Sequence, residues 1–321
     1  MNPIMEQIRK IGIVPVISLA HAKDAVPLAK ALIEGGLACA EVTFRTDAAE
    51  ESIKNISSEF PEMLVGAGTV LTLDQLDKAI NAGAKFIVSP GFNAEIVKAC
   101  IAKGIPVAPG CSSPTDIEAA MALGLKTVKF FPAGNLGGID AIKAMAAPYT
   151  GLTFMPTGGV NAKNINDYLS FPRVIACGGS WMVDPKLIEA GDFAEITRRT
   201  WEAVTTVLGF SLAHVGVNCE SDVQCRAVAK LFCDLFGFEY KPGNSSVFAG
   251  SVVEAMTPLP GRGTNGHIAI GTNYMERAIY QLSTKGIKFL DETTKKDAAG
   301  NIKAIYLDMD FGGFAVHLIQ K

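Results

Sequence analysis

The sequence predicts an α/β fold: a (β/α)8 barrel of the TIM class over residues 1–210, then a smaller α+β domain over 211–321. Two patterns predict it. Between residue 11 and residue 180, apolar strand-like runs alternate with helical stretches eight times, and eight βα units in roughly 200 residues make a compact closed barrel. After Leu208 the alternation stops. Strand-like runs then cluster in threes behind a single helix, twice over. With 321 residues, 49% of them hydrophobic, the chain can bury two cores.

The barrel strands are expected to begin near Gly12, Ala38, Leu64, Phe86, Pro106, Thr127, Thr153 and Val174. Helical stretches between them include Ala22–Ile33, Leu73–Asn81, Asn93–Ala102, Pro114–Ala122 and Ala162–Leu169. Thr72, Asn93, Ser113 and Asn161 stand where a side-chain oxygen can cap a helix start. A doubly wound open sheet is the structural alternative, and it is disfavoured because no G-x-G-x-x-G follows the first strand. A helix over 193–207 closes the first domain.

The second domain reads strand (214–218), helix (222–235) and strands (238–241, 246–249, 252–256). It then reads strand (267–271), helix (274–285) and strands (287–292, 302–308, 313–319). This is βαβββ twice, a duplication of about 50 residues per unit.

Composition excludes several roles. A net charge of −3, with no basic run, argues against a nucleic-acid binder. Apolar stretches are broken by Gly, Pro or charge well before ~18 residues, so no membrane span is expected. The first residues lack a charged leader followed by an apolar run, so no signal peptide is expected. The seven cysteines are scattered, include no C-x-x-C, and sit in apolar contexts such as Cys39, Cys100 and Cys177. A cytoplasmic setting fits such thiols.

Two strands carry the chemistry. Lys129 lies in the apolar run Thr127-Val128-Lys129-Phe130-Phe131-Pro132. Alternation puts Thr127, Lys129 and Phe131 on one face. Pro132 and Gly134 end the run, so Lys129 stands near the carboxyl end of its strand, where α/β proteins build their sites. Desolvation favours the neutral, nucleophilic amine; the alternative is a buried stem with its ammonium reaching water. In the strand 38–45, period two aligns Glu41, Thr43 and Arg45. Glutamate can move protons, and arginine can clamp a carboxylate with two parallel hydrogen bonds.

Six segments in order then resemble one family: Glu41-Val-Thr-Phe-Arg45, Gly66-Ala-Gly-Thr69, Ser89-Pro90-Gly91, Lys129-Phe-Phe-Pro-Ala133, Pro156-Thr-Gly-Gly-Val160 and Gly178-Gly-Ser-Trp181. Over residues 5–208 the chain is similar to the 2-keto-3-deoxy-6-phosphogluconate (KDPG) and 4-hydroxy-2-oxoglutarate aldolases. The resemblance implies a class I aldolase that needs no metal. Lys129 would form a Schiff base with a 2-keto acid, and Glu41 would act as general base and acid. Arg45 and Thr69 would seat the carboxylate, while Pro90 and Phe131 would wall the pocket. Thr157, Gly158, Gly159, Gly179 and Ser180 would complete the substrate contacts. It further implies a small, phosphorylated 2-keto acid as partner and a homo-oligomer, with a trimer favoured.

The pairs Gly158-Gly159 and Gly178-Gly179 fall at the loops after strands seven and eight, where barrels of this class hold phosphate on backbone N–H groups. They can equally be plain turns. An isomerase or epimerase on a phosphate-binding barrel, with a sensor or oligomerisation module appended, is the alternative function. It would not require Lys129 in that apolar strand.

The chain has four histidines, and three of them lie in the last third. His214 and His267 open the first strand of each repeat, and His317 lies in the last strand. With its paired βαβββ units, this domain resembles the vicinal oxygen chelate fold of the glyoxalases. The resemblance implies metal ligands at His214, His267, His317 and Glu254, with histidine at the last position where glutamate is usual. Such a set suits a divalent metal. The other reading is a relic without metal that binds small molecules or supports assembly.

Overall fold

The computed structural model describes residues 2–243, 245–257 and 263–321, and the chain divides into two compact units between Val207 and Leu208. The division lies three residues before the boundary read from the sequence: Leu208, the last residue of the closing helix, accepts at its carbonyl from Asn273 N and Thr272 Oγ1 and groups with the second unit.

In the first unit, α1 (Pro3–Ile11) leads into β1 (Ile13–Ile17) and α2 (Ala25–Glu34). Next come β2 (Cys39–Thr43), α3 (Ala49–Glu59), β3 (Leu64–Gly68), α4 (Leu73–Asn81), β4 (Ile87–Val88) and α5 (Ala94–Ala102). They are followed by β5 (Val107–Ala108), α6 (Pro114–Ala122), β6 (Thr127–Phe130), α7 (Gly138–Ala146) and β7 (Thr153–Pro156). Then α8 (Ile165–Leu169), β8 (Cys177–Gly179), α9 (Pro185–Glu189) and α10 (Phe193–Leu208) complete it.

Local chemistry sets these boundaries. The Asn2 side chain accepts from Ile4 N at the start of α1, and Gly12, at φ 81°, ends it and releases β1. Thr72 caps α4, Asn93 caps α5, and Ser113 forms a capping box with Asp116 on α6. Asn161 does not cap α8. Its Oδ1 accepts from Lys163 N, and its own N–H donates to Asn164 Oδ1, so residues 161–164 close a turn and the helix starts at Ile165. The stretch before α2 likewise opens as a 3₁₀ turn, Ala22–Asp24.

Six strands pair in parallel in the order β5-β4-β3-β2-β1-β8, and β6 pairs with β7. Parallel bridges Gly110↔Lys129 and Thr157↔Gly178 join the two groups. Lys129 N donates to Pro109 O and Cys111 N donates to Lys129 O. The ring is therefore a closed barrel rather than an open sheet. Val174 contributes one bridge, to Phe154, and the eighth strand proper starts at Cys177. Gly178 and Gly179 thus lie inside β8 and not in the loop after it.

The barrel's amino end is plugged. Met5 and Ile8 of α1 pack against Val14, Cys39, Leu64, Phe86, Val88, Ala108, Met155 and Ala176. Each large apolar side chain buried in this way contributes about 1.5–3 kcal/mol. Phe86 fills the interior beside Gly66, where a Cβ would lie 2.3 Å from its ring. The carboxyl end is left for polar groups.

The second unit holds β9 (Ser211–Asn218), α11 (Asp222–Phe236), β10 (Tyr240–Pro242), β11 (Ser246–Ala249) and β12 (Val253–Met256). Then follow β13 (Gly266–Thr272), α12 (Met275–Thr284), β14 (Phe289–Lys296), β15 (Ile302–Phe311) and β16 (Phe314–Gln320). The order is βαβββ twice. All eight strands form one mixed sheet, β10-β11-β12-β9-β13-β16-β15-β14. The repeats meet where β9 runs antiparallel to β13, and β12 and β16 flank them in parallel. On β11, Val247 faces α11, packing with Cys219, Cys225, Ala229 and Ala255, while its neighbour Phe248 faces the other side. That other side carries the histidines.

Candidate functional site

Lys129 is placed by β6. Val128 and Phe130 are fully buried in the surrounding core, and alternation turns Lys129 into the barrel, where it is 4% exposed. Glu41, 1% exposed, comes from β2 on the far side of the sequence, and its Oε1 accepts a hydrogen bond of 3.1 Å from Lys129 Nζ. Glu41 Oε2 is buried and has no partner among the described residues. Exchanging a buried ion pair for apolar packing is often neutral or stabilising by about 1–4 kcal/mol, so such a pair points to chemistry rather than to stability. The two groups can pass a proton between them with no change in net charge, which frees the Lys129 amine to attack.

Gly68 makes room for this contact. It sits opposite Thr43 in the β2–β3 register, and a Cβ there would lie 2.2 Å from Glu41 Oε1. Sequence reasoning missed this role. The signal was the inward alternation Leu64, Gly66, Gly68, which leaves the interior open beside Glu41. Thr43, expected on the polar face with Glu41, instead donates to Ile17 O and ties β2 to β1.

The other expected residues ring the same end. Phe131 follows Lys129 out of the strand, its ring centroid 5.5 Å from Nζ. Arg45, at the mouth, donates from Nε to Thr69 Oγ1 at 3.3 Å. Thr69 is held at φ 55°, the one positive-φ residue other than glycine among the described residues. That conformation costs roughly 1–2 kcal/mol, so the turn after β3 is held by its surroundings. Pro90 is half-buried, and its carbonyl lies where a Cβ on Gly110 would clash at 1.9 Å. Gly110 in turn bridges Lys129.

Thr157 follows β7 directly, with its Oγ1 buried and unpartnered among the described residues. Gly158 and Gly159 follow in left-handed conformations, at φ 91° and 81°. Gly134 N donates to Gly158 O, which clasps the loop after β6 to the loop after β7. The N–H groups of Gly158 and Gly159 donate to no acceptor among the described residues. Gly178 passes so close to Thr157 that a Cβ would sit 2.3 Å from its Oγ1, and Gly179 lies against the Trp181 ring. Ser180, just past β8, is exposed.

A closed parallel barrel with a buried lysine–glutamate pair at the carboxyl ends of its strands defines a Schiff-base, class I aldolase. The comparisons agree. The KDPG and KHG aldolase family profile matches residues 4–199, and the chain belongs to that family. A 2-dehydro-3-deoxy-phosphogluconate aldolase of Treponema pallidum is 48% identical over 207 residues, covering 64% of this chain and 99% of the relative. The KHG/KDPG aldolase of Escherichia coli K12 is 45% identical over 192 residues, 60% of this chain and 90% of the relative. Among solved structures, the KDPG aldolase of Legionella pneumophila, with pyruvate captured as a covalent carbinolamine, aligns with a TM-score of 0.60 at 36% identity. It covers 62% of this chain and 97% of its own.

The second unit has a separate cluster. The ligand atoms of His214, His267 and His317 all lie within 4.8 Å of one another. His214 Nε2 is 3.1 Å from His267 Nε2. Glu254 Oε2 is 3.2 Å from His214 Nε2 and 3.1 Å from His267 Nε2. Ser246 Oγ donates to the other oxygen, Glu254 Oε1, at 2.6 Å. Burial alone would raise the Glu254 carboxyl, but hydrogen bonds with His214, His267 and Ser246 hold it well below the usual carboxylate range. Burial, with His267 and His214 behind it, pushes His317 down to about 3. His317 is therefore neutral near pH 7, and both its ring nitrogens are buried without a partner among the described residues.

The sheet explains the convergence. Gly216 pairs with His267, and a Cβ there would meet the imidazole at 2.1 Å, so glycine admits the ring. Tyr306, opposite His317 in the β15–β16 register, stacks on it at 4.6 Å and 17°. Ser246, Phe248, Gly216 and Tyr306 were not read from the sequence; only the strand register sets them beside the histidines. Three imidazoles within 4.8 Å of one another, a carboxylate oxygen against two of them, and an orphaned nitrogen pair on the third fit a divalent metal.

Proposed function

We propose that the barrel cleaves 2-keto-3-deoxy-6-phosphogluconate, 4-hydroxy-2-oxoglutarate or both to pyruvate and an aldehyde, glyceraldehyde 3-phosphate or glyoxylate respectively. The buried 3.1 Å contact between Lys129 Nζ and Glu41 Oε1 carries this reading. Lys129 attacks the C2 carbonyl, and Glu41 delivers the proton that lets the carbinolamine hydroxyl leave as water. Glu41 then takes the proton of the C4 hydroxyl. The C3–C4 bond breaks, its electrons pass into the iminium to give an enamine, and the aldehyde departs. Protonation at C3 and hydrolysis release pyruvate and restore the amine. Arg45 and Thr69 seat the carboxylate. Phe131 and Pro90 keep water from the imine. Thr157, the N–H groups of Gly158 and Gly159, Gly179 and Ser180 receive the distal phosphate or carboxylate.

The experiment is reductive trapping. Pyruvate with borohydride should add mass irreversibly at Lys129, located by peptide mapping, and Lys129→Ala should fold yet lose cleavage. Label on Lys126 instead would place the nucleophile on the wrong face and sink the proposal.

For the second unit we infer a divalent-metal centre on His214, His267, His317 and Glu254, supported by the clustering of the three imidazoles and the contacts of Glu254 with two of them. A bound ion would supply Lewis acidity toward an oxygen ligand. Purified protein should hold about one equivalent of metal, and His267→Ala much less. A cytoplasmic setting is supported by the seven free thiols, six of them buried. A homo-oligomer, with a trimer favoured, rests on the family resemblance.

A further inference from the structure

The strand register makes His317 the counterpart of a carboxylate. In β9 and β13, His214 lies opposite Ala269 and His267 lies opposite Gly216. The two histidines are thus exchanged by the pseudo-twofold axis between the repeats, and so are Gly216 and Ala269. Gly216 pairs with Glu254 on β12, and Ala269 pairs with His317 on β16. Glu254 and His317 therefore occupy equivalent places. A symmetric centre would have two imidazoles and two carboxylates. This one has three imidazoles and one carboxylate.

That exchange changes what the centre can hold. Mg²⁺ and Ca²⁺ are hard ions that take oxygen ligands, whereas imidazole suits Zn²⁺ and its late first-row neighbours. A second carboxylate would also cancel the charge of a divalent ion, while Glu254 alone leaves one positive charge. The donors are nearly in place. Tetrahedral zinc, at about 2.0–2.1 Å per nitrogen, sets its ligand atoms about 3.3–3.4 Å apart. The His214, His267 and Glu254 donors already stand 3.1–3.2 Å apart. Ser246 fixes Glu254 so that one oxygen remains for the ion. His317 has no such hydrogen bond, since neither of its nitrogens has a partner among the described residues. Its ring plane is set instead by the Tyr306 face stacked on it.

Building on the metal-centre reading above, we propose that His317 is the residue that confines the second unit to a zinc-class ion and excludes Mg²⁺, with Tyr306 as its positioning residue.

The test uses the full chain, stripped with a chelator and equilibrated with equimolar Zn²⁺, Mn²⁺ and Mg²⁺. Metal per chain is then read by mass spectrometry, and circular dichroism checks the fold. Wild type should hold about one Zn²⁺ and no Mg²⁺. His317→Glu should still bind metal, but its preference for Zn²⁺ over Mn²⁺ should narrow at least tenfold. Tyr306→Leu should weaken Zn²⁺ binding by about 10–100-fold with the preference unchanged, and Tyr306→Phe, which keeps the stacked ring, should restore it. An unchanged preference in His317→Glu would overturn the assignment of selectivity to His317. Equal loss in Tyr306→Leu and Tyr306→Phe would overturn the positioning role. Failure of folded wild type to bind any of the three ions would overturn the metal-centre reading itself.

Discussion

Gly68→Ala perturbs the lysine–glutamate pair without touching either charge. The new methyl would lie 2.2 Å from Glu41 Oε1, 2.7 Å from its Cγ and 2.8 Å from its Cδ. That is roughly 1 Å short of van der Waals contact with the oxygen. Glu41 is fully buried, so the carboxylate must retreat rather than swing into water. A retreat of that size turns the 3.1 Å bond to Lys129 into a separation of about 4 Å, beyond hydrogen-bond range. A 1 Å error in the placement of a catalytic group costs on the order of 10² in rate. Initial rates of pyruvate release, coupled to NADH oxidation by lactate dehydrogenase, should show kcat about 100-fold lower. KM should move less than about threefold, because Arg45, the proposed carboxylate clamp, is untouched. Overpacking costs about 1–3 kcal/mol, so the variant stays folded at 25 °C with a Tm lower by several degrees. A kcat within about threefold of wild type would refute the claim that Gly68 exists to seat Glu41 against Lys129.

Arg45→Ala should raise KM for the keto acid at least tenfold and lower kcat less, because a carboxylate clamp acts in the ground state as well as the transition state; steady-state kinetics would show the split. Dialysis against EDTA should leave the cleavage rate intact, and loss of activity restored by added metal would exclude the Schiff-base route. Ellman's reagent at pH 8 should label about one of the seven thiols quickly in native protein, namely half-buried Cys233. Raising the pH to 9 should not expose a second fast thiol, since burial pushes Cys100 up to about 11 and Cys111 up to about 12.

The sequence by itself determined the alternation of strand and helix, and with it which residues stand at the carboxyl ends of β2 and β6. Period two is a local property, so the inward direction of Lys129 and Glu41 was legible without coordinates. So were the caps at Thr72, Asn93 and Ser113, whose hydrogen bonds span two or three residues. Asn161 shows where local reading fails, because a competing turn with Asn164 satisfies the same side chain and delays the helix to Ile165. The repeat spacing put His214 and His267 at matching places, but not in contact. Only tertiary structure decided that Glu41 and Lys129 touch, because that depends on the ring closing through the Gly110↔Lys129 bridge. It also decided the roles of Gly68 and Gly216, which act through the side chain they lack and the neighbour that fills its place. Tyr306 against His317 and Ser246 against Glu254 are set by cross-strand register. Register is a pairing between distant segments, and a one-residue slip would turn each of these side chains to the opposite face.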